Sequence, residues 1–249
     1  MDHPIQTIHQ LAQYLAAAAI SFMEAAPDDS HTNLGFDDSS QSLSTHPLND
    51  LGVQLCFSYA DFSLFWKGEG LKSSISLDGK THQEVLNWLK STAEGLGFDK
   101  PYQYEFHYDL PYQVEADQVW VSPEANTLNQ LSEDRANAQL ASEAFATELG
   151  QEVAIRIWPH HFDTGGYSPL ENDLGVGWGL AIPDSVVNSS YYYISYYKDG
   201  NSYLPDDLPG LTLGDWHRDG FTGGVLPLKE SDQDGFAFFK QVHQRIMSH

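Results

Sequence analysis

A run of five residues, Asn-Asp-Leu-Gly-Val, occurs twice in the chain, at positions 49–53 and again at 172–176. Each copy follows a Phe-Asp pair, at 36–37 and at 162–163, and each is followed by apolar strand patterns and then by a helical pattern. Internal repetition constrains a fold more strongly than any single motif does. We therefore predict that the chain is built from two similar halves.

The order of the predicted elements favours an α+β fold. Thr81 and Glu84 form a capping-box pattern that predicts a helix ending near Gly95, and a second helix is predicted from Ser132 to Gly150. The strand patterns are joined by short turns, which is typical of hairpins. We predict two α-β-β-α halves that form a mostly antiparallel or mixed sheet with the helices packed on one face. The halves are predicted to be residues 1–125 and 126–249, in one compact domain.

Three shorter segments have patterns of their own. Apolar residues at three-four spacing between Ile5 and Phe22 predict an amphipathic first helix. Residues 101–121 carry aromatic side chains at alternate positions, which favours an extended segment leading into an edge strand beside Pro111. The single cysteine, Cys56, lies in an apolar run and is predicted to be a small buried hydrophobic residue.

The chain is strongly acidic, with 35 Asp and Glu against 12 Lys and Arg and a formal net charge of -23. Such a field repels phosphate backbones and anionic membrane surfaces, so we predict neither a nucleic-acid partner nor a membrane partner. The same field attracts cations, although most carboxylates are expected to be solvated surface groups. No positive charge precedes the Ala-rich N-terminal segment and no window reaches the length of a membrane span, which together predict a cytoplasmic location.

Residues 158–163, with the sequence Trp-Pro-His-His-Phe-Asp, carry the most informative polar pattern. Side chains alternate along an extended chain, so His161 and Asp163 share a face and can reach one metal ion. Adding His160 and the more distant His217 predicts a pocket for a divalent metal such as zinc, or for another small molecule. The alternative is structural, with the histidines closing a strand end and Asp163 capping the next turn.

The sequence is compatible both with an enzyme and with a non-catalytic protein. A metal-bound water would support hydrolysis at the predicted pocket. However, the sequence contains neither a Gly-x-Ser-x-Gly elbow nor a phosphate-binding Gly-x-x-x-x-Gly-Lys loop. No catalytic residue is therefore predicted.

Aromatic residues of the second half predict a different kind of site. Rings exposed on strands stack on sugars or on other flat ligands, which would make the protein a non-catalytic binding module. The alternative is that these rings form the core, because aromatic residues favour strands in any case. A protein-interaction domain or a homo-oligomer, using the sheet edge near Pro111, is a further alternative. The predicted ligand-binding residues are Trp158, Trp178, Tyr193 and Trp216.

The order of motifs resembles an uncharacterised bacterial family known only as a domain of unknown function. The resemblance is carried by the strand end at 158–163, the Gly-rich strand after it, the Tyr-rich segment 191–197 and Leu226-Pro227 before the last helix. It extends over most of the chain in motif order but includes few identical residues. It implies a similar fold and marks Asp163 as a residue of interest, and it implies no activity.

Overall fold

The structure is a computed structural model that describes residues 3–228 and 234–249. Within these ranges it contains the helices α1 (His3–Phe22), α2 (His82–Gly95), α3 (Ala125–Glu148) and α4 (Gly235–Met247). The strands form two antiparallel sheets, so the predicted α+β class is confirmed. No helix in the described ranges combines the length and the apolar character needed to cross a bilayer. The strands are β1 (Gly35–Asp37), β2 (Ser42–Ser44), β3 (Gln54–Ser58), β4 (Ser63–Lys67), β5 (Ser74–Ser76), β6 (Arg156–Trp158), β7 (Asp163–Pro169), β8 (Leu174–Ala181), β9 (Tyr191–Lys198), β10 (Asn201–Tyr203), β11 (Asp215–His217) and β12 (Gly223–Pro227).

The described residues divide into two compact units. The first unit runs up to residue 133 and also includes residues 157–160. The second unit consists of residues 134–156 and 161–249. The predicted boundary after residue 125 thus falls at the start of α3, whereas the division in the structure runs through that helix.

The first unit contains a five-stranded meander in which each strand pairs with the next, in the order β1-β2-β3-β4-β5. The predicted capping box opens α2, because the Thr81 hydroxyl accepts from the Glu84 amide and the Glu84 carboxylate accepts from the Thr81 amide. The Trp66 indole on β4 donates a 2.8 Å hydrogen bond to the Thr92 hydroxyl on α2. Cys56 on β3 is buried as predicted, and burial raises the pKa of its thiol to about 12.

Residues 101–118 form no strand, and the chain bends at 107–108 and 111–112 and turns at 116–117. Their side chains are alternately exposed and at least half-buried from Pro101 to Val114, which is the alternation that the aromatic pattern predicts. The predicted edge strand is replaced by one isolated antiparallel bridge between Thr81 and Val119. The segment therefore contributes rings to the interior of the first unit without extending its sheet.

The second unit is an antiparallel sheet with the order β11-β12-β9-β8-β7, and β10 forms a hairpin with β9. One face of this sheet forms the core together with α4 and with the part of α3 that belongs to this unit. Burial of these large apolar side chains is the main stabilising contribution to the unit. The core side chains from the strands include Val176, Trp178, Ile194, Tyr196 and Leu226, and those from the helices include Phe145, Phe238, Phe239, Val242 and Ile246.

The two copies of the five-residue run both lie at turns that lead into strands, but the turns differ. In the first copy Gly52 has a φ of 73°, and the Leu48 amide donates to the Val53 carbonyl. In the second copy the residues at 172 and 173 both have a φ of 59°, and the Leu170 amide donates to the Leu174 carbonyl. The same five-residue sequence therefore adopts two different turn conformations.

A closer correspondence in backbone conformation involves two phenylalanines. Phe62 and Phe162 each end a four-residue turn that follows a strand, and both are buried. Their φ values are 44° and 59°, in the left-handed region that a bulky residue rarely adopts. The backbone thus relates Phe162 to Phe62, whereas the sequence pattern relates it to Phe36, which lies inside β1.

Candidate functional site

The four residues predicted to bind a metal are divided between the two units. His160 belongs to the first unit, and His161, Asp163 and His217 belong to the second. His161 is exposed, while Asp163 begins β7 and His217 ends β11. Within residues 3–228 and 234–249 no group of three or more His, Cys, Asp or Glu side chains could hold a metal ion. The predicted zinc site therefore has no support in the described part of the chain.

Asp163 is instead engaged by a tyrosine that the sequence predicts to be ligand-binding. The Tyr193 hydroxyl donates a 2.6 Å hydrogen bond to Oδ2 of Asp163. Burial, followed by the Asp163 charge, raises the pKa of Tyr193 well above its usual value. The neighbouring Tyr191 makes a similar 2.8 Å bond to Oδ2 of Asp184. These two strand tyrosines thus each donate a hydrogen bond to a carboxylate, to the half-buried Asp163 and to the exposed Asp184.

The three tryptophans predicted to bind a ligand have different environments. Trp178 is fully buried, and its indole N–H donates to the Ser142 carbonyl at 3.2 Å. A ring in this position cannot stack on a ligand, so Trp178 is a core residue. Trp216 is half-buried with its N–H bonded to the Pro209 carbonyl, and the half-buried Trp158 lies edge-on to the ring of His160.

Arg135 holds the turn that precedes β7. Its guanidinium donates to the Thr164 hydroxyl at 2.6 Å and to the Phe162 carbonyl at 2.9 Å. Its Cζ also lies 3.9 Å from the centroid of the Phe162 ring, which is a cation–π geometry. Because Arg135 is buried, these bonds fix the left-handed conformation of Phe162 from the side of α3.

A cavity of about 460 Å³ lies in the second unit, where the C-terminal ends of α3 and α4 meet the turn between β7 and β8. Its volume is within the range of small-molecule sites. The apolar side chains that line it are Leu149, Leu170, Leu174, Tyr203, Ile246 and Met247. The polar side chains that line it are Glu148, Glu171, Asn172, Lys198 and His243.

His243 is the half-buried polar group of this cavity. Its Nδ1 lies 2.8 Å from the hydroxyl of Tyr196, and its ring packs edge-on against Phe145 at 5.7 Å between centroids. Burial lowers the pKa of His243, and the charge of Glu148 only partly opposes this shift. The imidazole is therefore neutral at pH 7 and offers a hydrogen-bonding group without a charge.

The charged side chains of the cavity differ in their pairing. Glu148 forms a 2.8 Å ion pair with Lys240. Nζ of Lys198 lies 5.6 Å from the centroid of the Tyr203 ring. None of the ion pairs formed by the described residues involves Glu171, which is exposed on the β7–β8 turn. The rim thus carries one carboxylate without an ionic partner in the described part of the chain.

None of the charged or histidine side chains of this cavity is predicted from the sequence. Asn172 begins the second copy of the five-residue run, and Glu171 directly precedes it. A usable signal exists in the last helix, where Phe239, Val242 and Ile246 mark the core-facing stripe. His243 follows Val242 directly, so the helical period places it at the edge of that stripe.

The first unit contains a buried polar cluster of a different kind. The Tyr14 hydroxyl lies 2.6 Å from Nδ1 of His82 and 3.1 Å from the indole nitrogen of Trp120. The ring of His82 packs edge-on against Tyr104 at 4.8 Å between centroids. The hydroxyls of Tyr104 and Tyr112 are buried and have no hydrogen-bond partner among the described residues. The pattern of alternating aromatics at 102–108 marks part of this cluster in the sequence.

Comparison of the chain with protein-family models, with curated proteins and with solved structures gave no match. The resemblance to an uncharacterised bacterial family consequently stays a prediction. The functional assignment is therefore based on the cavity of the second unit.

Proposed function

We propose that the protein binds a small molecule in the cavity between the ends of α3 and α4 and the β7–β8 turn. The observation that carries the proposal is the cavity itself, with its volume of about 460 Å³ and a lining in which apolar and polar side chains take about equal part. Small-molecule sites combine apolar surface with polar groups that orient the ligand. His243 and Asn172 are suited to that orienting role because both offer hydrogen bonds without a formal charge.

The apolar part of the lining favours a ligand with a flexible hydrocarbon part. Leu149, Leu170 and Leu174 pack against the core of the second unit on one side and line the cavity on the other. Each methylene group that leaves water for such a surface contributes about 0.8 kcal/mol. A chain that is longer by two methylene groups should therefore bind roughly tenfold more tightly, provided that it still fits.

Calorimetric titration of the full chain with 1-octanol and 1-hexanol tests this proposal. We expect saturable binding of both alcohols, with octanol the tighter by roughly tenfold. The variant Met247→Trp places a larger side chain at the cavity wall and should abolish binding. Leu140→Trp is the matched control, because Leu140 is 62% exposed on α3 and does not line the cavity. Absence of saturable binding, or equal binding by Met247→Trp, would refute the proposal.

Carbohydrate binding by strand aromatics is a second candidate, and two exposed rings favour it. Tyr167 on β7 and Tyr197 on β9 are 56% and 36% exposed, and their ring centroids lie 6.4 Å apart. The intervening strand presents glycines there: Gly177 pairs with both Tyr167 and Ser195, and Gly175 pairs with Tyr197. The exposed rings of Tyr167 and Tyr197 therefore support carbohydrate binding better than the buried Trp178 does.

Titration with cellohexaose tests this second candidate. If the two rings form a sugar platform, Tyr167→Ala should abolish binding, because stacking requires the exposed ring. Val121→Ala removes a comparably exposed apolar side chain in the first unit and should leave sugar binding unchanged. Failure of the wild-type chain to bind would reject the candidate.

The internal duplication predicted from the sequence is carried forward as a proposal about the origin of the chain. Its support is the order helix, antiparallel sheet, helix in both units, together with the matching turns at Phe62 and Phe162. Ancestral sequences can be reconstructed separately for the two units. If these two sequences are no more similar to each other than unrelated sequences are, the duplication is contradicted.

A further inference from the structure

We propose that His243 selects an uncharged ligand in the cavity by donating a hydrogen bond from Nε2 to an acceptor oxygen, such as the carbonyl oxygen of a ketone, ester or amide. This inference rests on the proposed small-molecule function and names both the ligand class and the residue that recognises it. It is carried by the hydrogen bond between His243 and Tyr196, by the place of His243 in the cavity wall and by the charges around the cavity.

The partner of Nδ1 determines which nitrogen of His243 carries the hydrogen. The hydroxyl of Tyr196 lies 2.8 Å from Nδ1, and Tyr196 is buried. The hydroxyl has no other hydrogen-bond partner among the described residues. If Nδ1 donated to the hydroxyl oxygen, the buried hydroxyl hydrogen would be left without an acceptor, which costs stability. The hydroxyl therefore donates to Nδ1, and the neutral imidazole carries its hydrogen on Nε2.

Nε2 is the nitrogen of His243 that a ligand in the cavity can reach. It forms no hydrogen bond with the described residues, and it is not enclosed in the interior. The half-buried ring lines the cavity while its Nδ1 side faces Tyr196 on β9. Packing against Phe145 on α3 holds the ring in this position. The cavity wall thus presents an oriented N–H donor.

A donor at this position distinguishes between polar head groups. An ammonium group only donates hydrogen bonds, so it cannot use the Nε2 hydrogen. A carboxylate accepts hydrogen bonds but brings a negative charge toward a protein whose formal net charge is -23. An uncharged acceptor oxygen uses the donor without either conflict.

The other charges of the cavity are compatible with an uncharged ligand because they balance. Glu148 forms a 2.8 Å ion pair with Lys240. Lys198 offsets Glu171, the other carboxylate of the lining. A ligand without a charge leaves this balance undisturbed.

Two ligands of the same shape isolate the hydrogen bond. In 2-methyl-1-hexene a methylene group takes the place of the carbonyl oxygen of 2-hexanone. Each is titrated into the full chain at pH 7 and followed by the NMR signals of the leucine methyl groups that line the cavity. Because the two ligands share their hydrocarbon contacts, a variant that changes only the ketone affinity acts on the oxygen.

Variants of His243 assign the donor. The Asn amide of His243→Asn lies near the position of Nδ1 and does not reach that of Nε2, so this variant should bind the ketone about fivefold more weakly and the alkene equally well. His243→Gln places an amide donor near the position of Nε2 and should restore most of the ketone affinity. His107→Asn is the matched control, because His107 is exposed in the first unit and does not line the cavity.

The tautomer is measured directly in the wild-type chain, which needs no variant to fold. Long-range correlation of the ring carbon-bound hydrogens with nitrogen-15 should show a protonated Nε2 and an unprotonated Nδ1 in His243. Adding 2-hexanone should shift the Nε2 signal, and adding 2-methyl-1-hexene should shift it less.

The outcomes separate this inference from the function on which it rests. A hydrogen on Nδ1 of His243, or a ketone affinity that His243→Asn leaves unchanged, would overturn the inference while saturable binding of the two ligands keeps the small-molecule function. Failure of both ligands to bind would remove the small-molecule function and this inference with it.

Discussion

The hydroxyl of Tyr14 connects the indole of Trp120 to the imidazole of His82 in a single hydrogen-bonded chain. An indole nitrogen can only donate, so the Tyr14 oxygen accepts from Trp120, and Nδ1 of His82 is the one acceptor that the described residues offer to the hydrogen of the Tyr14 hydroxyl. Nδ1 is therefore unprotonated, and the neutral ring carries its hydrogen on Nε2. This tautomer follows from the donor inventory of three buried side chains.

Protonation of His82 should destabilise the first unit. Burial lowers the pKa of His82 in the folded state, so the unfolded chain binds the proton more readily. The contribution of His82 to the free energy of unfolding is thus fully present above the unfolded pKa of about 6.5 and decreases as pH falls from there toward the folded pKa. Urea unfolding between pH 7.5 and pH 5 should show this loss.

The variant His82→Gln removes the titrating group and should lose less stability over the same pH range. His249→Gln changes an exposed histidine at the end of the chain and serves as its control. Equal pH dependence in His82→Gln and in the wild-type chain would contradict the prediction.

Removing the Tyr14 hydroxyl should leave two buried groups without their partner. In Tyr14→Phe, Nδ1 of His82 loses its donor and the indole of Trp120 loses its acceptor, which should cost about 1–3 kcal/mol in the free energy of unfolding. Tyr167→Phe removes a hydroxyl from an exposed ring and should change stability by less than about 0.5 kcal/mol. Urea denaturation followed by far-ultraviolet circular dichroism measures both.

Arg135 should be among the most sensitive positions of the second unit. Arg135→Met removes two hydrogen bonds from a charged donor and the cation–π contact, and we expect a loss of about 3 kcal/mol. Arg245→Met on the exposed side of α4 is the control and should be nearly neutral. A shift in the urea midpoint of Arg135→Met no larger than that of Arg245→Met would refute this.

Gly179 on β8 should not accept even a methyl group. A Cβ atom there would lie 2.8 Å from Cα of Gly165 and would overlap the carbonyl oxygen of Thr164. Gly179→Ala should therefore lower the free energy of unfolding by about 3 kcal/mol through overpacking. Gly95→Ala is the matched change, because no atom lies within 4 Å of its Cβ position and alanine favours a helix. Thermal unfolding should show a raised midpoint for Gly95→Ala and a strongly lowered one for Gly179→Ala.

Features that depend on neighbouring residues could be predicted from the sequence. The capping box at Thr81 and Glu84 forms as the spacing indicates, because both of its hydrogen bonds are local. Cys56 is buried because its apolar neighbours lie in a central strand. The segment 101–118 shows the limit of this reasoning, since alternation fixes which side chains point inward but not whether a partner strand is present.

The candidate site could not be predicted because its parts are far apart in the chain. Glu148, Glu171, Lys198 and His243 come from four separate elements, and no local spacing relates them. The sequence pattern instead favoured 158–163, where the residues are adjacent in sequence but divided between units. The left-handed turn at Phe162 could not be predicted either, because it depends on Arg135 from α3, which is far from Phe162 in the sequence.

The burial of Cys56 has a practical consequence for following these variants. It is the only thiol of the chain, and it lies in the first unit. A thiol in that position reacts only during moments when the first unit opens, because the thiolate is the reactive form and burial suppresses it. The rate at which a disulfide reagent labels Cys56 thus reports how often the structure around β3 opens. Tyr14→Phe should increase that rate.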